Sequence, residues 1–118
     1  MIIGAWAPSV CTRPPGTNWS GSGGLYDLIC EYALNHPRVQ ALPEFAQALQ
    51  DSLWYKDICL YEHGEAAIRA FTEAVGELLE YVASPEGEAR WGERRPIVLK
   101  YVQMLYDLLR DYDPERYK

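Results

Sequence analysis

The chain has 118 residues, 48% of them hydrophobic, and a net charge of −6. That length supports one domain whose core needs no disulfide or metal staple. The acidity argues against a nucleic-acid binder, which needs clustered Lys and Arg to neutralise phosphates, and equally against attraction to an anionic membrane surface. Cys11, Cys30 and Cys59 form no C-x-x-C pair and no even framework, so they read as reduced thiols and the chain as cytoplasmic.

Residues 1–24 carry Pro8, Pro14, Pro15, Gly16, Gly21, Gly23 and Gly24. This density predicts an irregular arm with at most one short extended run at residues 2–6. The opening MIIGAWAPSVC is apolar, but it has no basic segment and meets Pro8 early, so it reads poorly as a signal peptide. Within the arm, Gly16 and Gly21 have the spacing of a P-loop's outer glycines, yet Ser22 stands where the phosphate-binding Lys belongs. Ser20 and Ser22 also lack the glycine that precedes the serine of G-x-S-x-G. The stretch is read as a turn that feeds a helix.

Four helical patterns follow, at about 25–35, 43–62, 65–83 and 96–112. Their punctuation is His36-Pro37, Pro43, Gly64, Ser84-Pro85-Glu86-Gly87, Pro96 and Asp113-Pro114. In the third, Ala67, Phe71, Val75, Leu78 and Val82 recur on one face. The second begins cleanly with Phe45, Ala46, Leu49 and Leu53. Trp54, Tyr55, Ile58, Leu60 and Tyr61 then spread around it, so it either bends near Ser52 or is buried all round. The last is apolar over more than half its circumference, from Ile97 and Val98 to Leu109 and Tyr112, and is expected to be the centre of the core. Short connections and no sustained period-two alternation give an all-α reading: a single domain over 1–118, folded as a compact four-helix bundle or orthogonal array.

Chemistry-bearing motifs are sparse. Cys59, Glu62, His63 and Glu65 lie close in sequence, but the spacing is not H-E-x-x-H and no second His or Cys cluster completes a zinc site. His63 reads as a helix-ending residue near the last carbonyls. No metal, no cofactor and no enzymatic activity are expected.

Charge is more informative. Between Glu62 and Glu88 lie seven acids (Glu62, Glu65, Glu73, Glu77, Glu80, Glu86 and Glu88) and one base, Arg69, so this stretch equals the net charge of the whole chain. At helical spacing, Glu62 to Glu80 fall within about one third of the circumference. A structural solvent face normally mixes signs, because like charges four apart cost a few tenths of a kcal/mol. The plain alternative is a solvated face that serves solubility. Otherwise the stripe is an electrostatic docking surface, with Glu86, Glu88, Tyr81 and the loop aromatic Trp91 extending it. Arg90, Arg94 and Arg95 are expected to meet the acidic helix or a second copy, and Trp6 and Trp19 to pack the arm on the bundle.

The expected function is a small acidic inhibitor that occludes a basic toxin or nuclease, as bacterial immunity proteins and antitoxin-like proteins do, by analogy of size and charge. It would be a monomer or weak homodimer. Two alternatives stand beside it: a homodimeric helical regulator or assembly subunit, and a small enzyme or anion-binding protein using the His63 region or the glycine loop.

Overall fold

Prolines and small polar residues punctuate the chain into short elements, and the computed structural model describes residues 9–13 and 17–110. Strands β1 (Ser9–Arg13) and β2 (Thr17–Ser20) pair antiparallel and lead into helix α1 (Gly23–Leu34). There follow α2 (Pro37–Gln40), α3 (Pro43–Tyr55), β3 (Asp57–Cys59) and a 3-10 turn (Leu60–His63). Helices α4 (Glu65–Ala83) and α5 (Pro85–Trp91), a second 3-10 turn (Gly92–Arg94) and α6 (Arg95–Arg110) complete the described chain. The expected run at 2–6, with Trp6, lies outside the described residues, as does 111–118.

Local chemistry explains most boundaries. Ser22 Oγ accepts from the Leu25 N–H at 3.2 Å and caps α1. Pro37, Pro43 and Pro85 sit in the first turns of α2, α3 and α5, where a missing N–H costs nothing. Ser84 Oγ accepts from the Gly87 N–H at 3.3 Å, so the expected loop at 84–87 is the start of a helix.

The expected second helix over 43–62 is corrected. Lys56 adopts the left-handed conformation, φ 58°, and its N–H returns to the Ser52 carbonyl at 2.7 Å, which ends α3 at Tyr55. Its Nζ pairs with Asp27 of α1. Residues beyond it form β3, which joins the arm in a sheet of order β2-β1-β3, antiparallel on one side and parallel on the other. In register, Trp19, Val10 and Ile58 make one row across this sheet, and all three are buried. The extra strand resolves the spread of apolar residues after Ser52: Ile58 and Leu60 enter the core, while Trp54 is 90% exposed.

The core's centre also differs from expectation. Helix α4 carries eight buried residues, including Phe71, Val75, Leu78 and Val82, and packs against α1, α2, α5 and α6. Three of the eight are alanines, Ala67, Ala70 and Ala74, whose small side chains let neighbouring backbones approach. In α6 only Val102, Leu105 and Leu109 are fully buried, and Ile97 and Met104 remain 61% and 47% exposed. An apolar surface wider than its neighbours can cover stays partly in water. With the sheet as an edge, the result is a compact all-α bundle. Among the described residues, no helix is long and apolar enough to cross a membrane.

Candidate functional site

The acidic stripe follows the outer side of α4, opposite the buried face. Glu65 accepts from its own helix neighbour Arg69, with the Nε donor at 3.0 Å. Glu73 is met by Arg38 Nη1, and Glu77 by His36 Nε2, both delivered by the single turn of α2. His36 is 9% exposed, and its Nδ1 accepts from the Arg38 N–H at 3.2 Å, which leaves Nε2 as the donor to Glu77. So α2 is tied to α4 through two of its carboxylates. His36 and Arg38 are the residues that sequence reasoning missed, because nothing local relates a one-turn helix to a stripe far along the chain.

Three acids of the stripe are therefore answered internally: Glu65 and Glu73 in exposed pairs, each contributing about 0–1 kcal/mol, and Glu77 by the buried His36 ring. Glu62, Glu80, Glu86 and Glu88 make no ion pair with a described residue. Glu62 lies in the turn before α4, at the far end of the helix from Glu80. From Glu65 to Glu80 the axis runs roughly 22 Å at 1.5 Å per residue, too long for one compact cluster. The uncompensated acids gather instead at the last turn of α4 and on α5. Glu86 and Glu88 occupy the first turn of α5, where the helix dipole also favours them.

Aromatic residues mark the same end. Tyr81 of α4 stacks on Tyr32 of α1 at 6.3 Å between centroids and meets Trp91 of α5 edge-on at 5.7 Å. All three are half-buried. Burial, followed by the influence of Glu77, Tyr81 and Glu80, raises the Tyr32 hydroxyl above its ordinary range. Tyr81 and Trp91 are thus in contact, with Trp91 at the end of a helix rather than in the expected loop, and Tyr32 joins them unforeseen. Of Arg90, Arg94 and Arg95, only Arg95 is hydrogen-bonded to α4 among the described residues, and it donates to the Val82 carbonyl at 2.9 Å rather than to an acid. That contact satisfies orphan carbonyls at the helix end.

The ligand atoms of His36, Glu73 and Glu77 lie within 4.8 Å of one another, a spacing compatible with a metal ion. Both His36 nitrogens are already engaged, however, and Arg38 holds Glu73, so a cation would have to displace a guanidinium. A groove of about 650 Å³ runs beside this network, with Gly76 and Tyr106 in its lining. Its carboxylates Glu73 and Glu77 are among the paired groups.

The alternative sites have structural occupations. His63 is exposed and leans on the Phe45 ring at 5.5 Å. In the glycine loop, a Cβ on Gly21 would stand 2.6 Å from the Trp19 ring, whose Nε1 donates to the Tyr101 carbonyl at 2.9 Å. Gly21 therefore makes room for the tryptophan that fastens the sheet to α6. Comparison of the chain with protein-family models, curated proteins and solved structures finds no match, so its own geometry carries the functional reading.

Proposed function

We propose that the protein is a small acidic binding protein that occupies a basic surface of another protein, in the manner of an immunity protein or antitoxin-like inhibitor of a toxin or nuclease. The observation that carries this reading is the end of α4 with α5. There Glu80 of α4 and Glu86 and Glu88 of α5 make no ion pair with a described residue, and the same two helices carry Tyr81 and Trp91, which meet each other and, through Tyr81, the half-buried Tyr32. Uncompensated charge steers encounter, and rigid aromatics at the centre of a patch supply the short-range anchor. The bacterial cytoplasm is the compartment this role implies. Affinity capture from the native cell, followed by surface-binding kinetics with the recovered partner, tests it. Reversal of Glu80, Glu86 and Glu88 to Lys should slow association sharply while the bundle stays folded. The wild-type rate should fall as salt shortens the Debye length from about 30 Å at 0.01 M to about 8 Å at 0.15 M. Unchanged kinetics in the triple reversal would remove the docking surface.

A homodimeric regulator is the second reading, favoured by exposed Ile97 and Met104, seven residues apart on one face of α6. Light scattering of the purified chain separates the two.

A further inference from the structure

A second concavity, of about 680 Å³, opens between the start of α1 and the α5–α6 corner. Small-molecule sites span about 300–1,000 Å³ and combine apolar walls with a few placed polar groups. The walls here are Leu25 and Leu28 of α1, Trp91, and Ile97 and Val98 of α6. Ile97 is 61% exposed, so a large part of one wall faces water until something covers it.

The polar groups are selective in sign. The chain has 17 Asp and Glu, yet none lines this cleft, and the two charged residues that do are Arg90 and Arg94. Neither makes an ion pair with a described residue, although Glu88 and Glu93 are close in sequence. The Arg90 guanidinium lies over the Trp91 ring at 4.7 Å, which holds it at the wall. Ser22 and Gly24 of the first turn of α1 complete the polar side. An added Cβ at Gly24 would meet nothing within 4 Å, so backbone there is open to the cleft.

We propose that this cleft binds a small organic anion: a ring-bearing apolar body seated among Trp91, Leu25, Leu28 and Ile97, with its carboxylate or sulfonate held by Arg90 and Arg94. Apolar walls alone would accept a neutral body. Two unpaired guanidinium groups in an acidic chain select a negative head, because each forms charge-assisted bonds to a planar or tetrahedral oxyanion. The cleft shares Trp91 with the proposed docking surface, but its charged groups are Arg90 and Arg94 rather than Glu80, Glu86 and Glu88.

The probe is 1-anilinonaphthalene-8-sulfonate, titrated by fluorescence and by calorimetry, beside the neutral N-phenyl-1-naphthylamine, which has the same ring body without the sulfonate. The expected result is one sulfonate bound per chain, with affinity lowered about tenfold or more in Arg90→Gln/Arg94→Gln. The neutral probe should bind more weakly and not respond to that double change. Ile97→Glu, at an exposed wall position, should also abolish sulfonate binding, whereas Met104→Glu, on the same helix but outside the cleft, should leave it intact. Circular dichroism melts establish that each variant is folded, and Ile97→Glu decides if the double variant is not. No saturable binding, several weak sites per chain, or equal affinity in the wild-type and arginine variants would overturn the proposal.

Discussion

Gly87→Ala tests the closure of α5 on α4, on which the aromatic cluster depends. A Cβ at Gly87 would stand 2.2 Å from the Val82 carbonyl oxygen and 2.5 Å from that of Tyr81. Both are backbone atoms of the last turns of α4, and the Val82 oxygen is also held by Arg95, so they have little freedom to retreat. Relief requires α5 to lift by roughly 1 Å or more to restore van der Waals separation. Such overpacking costs about 1–3 kcal/mol. Lifting also stretches the Ser84 cap, worth about 1 kcal/mol, while alanine's better helix propensity returns up to about 1 kcal/mol. The net expectation is destabilisation by about 2 kcal/mol, or a melting temperature lowered by roughly 8 °C at about 4 °C per kcal/mol for a chain of this size. The internal control is Gly24→Ala, where nothing lies within 4 Å. There the loss of unfolded-state freedom should stabilise by about 0.4–1 kcal/mol. Urea unfolding measures both, and near-ultraviolet dichroism reports on Trp91 against Tyr81. If Gly87→Ala is neutral or stabilising, like Gly24→Ala, α5 does not close on α4 as described.

Leu105→Ala, at a buried position of α6, should cost about 2–5 kcal/mol, whereas Met104→Ala, beside it and 47% exposed, should cost well under half as much; equal effects in denaturant melts would misplace that helix. Ser52 is fully buried, accepts from the Tyr26 hydroxyl at 2.9 Å and donates to the Leu49 carbonyl at 2.7 Å. Ser52→Ala strands the Tyr26 donor at a cost of about 1–3 kcal/mol, and Tyr26→Phe in the same background should recover part of it, so additive single effects would contradict the bond. Burial pushes the Cys30 thiol up to about 12 and raises the Tyr26 hydroxyl beyond its ordinary range, so both keep their protons in the fold where the unfolded chain loses them. Stability should then be intact below about pH 8.5 and decline as pH rises towards the folded Cys30 value, by up to about 1.4 kcal/mol per pH unit for each such group. Cys30→Ala should make that decline shallower, and an unchanged alkaline slope in urea melts from pH 8 to 11 would refute the burial argument.

The sequence by itself determined whatever depends on neighbours along the chain. Pro43 and Pro96 marked the starts of α3 and α6, the five-turn periodicity over 65–83 coincides with α4 at Glu65–Ala83, and the acid count located the charge. Capping, helical period and like-charge spacing act within a turn or two, so they are readable one segment at a time. The parallel pairing of Ser9 with Asp57, the capture of Glu73 and Glu77 by α2, and the meeting of Tyr32 with Tyr81 join residues tens of positions apart. No local preference encodes them. Helix α6 looked like the core because its apolar residues nearly encircle it, but burial is allotted by the area its neighbours can cover, and α4, lined with alanines, fits among more of them. The acidic stripe was legible as charge, whereas its division into paired and unpaired carboxylates was decided by the tertiary structure, since only folding brings His36 and Arg38 within bonding distance of α4 and leaves Glu80 without such a partner among the described residues.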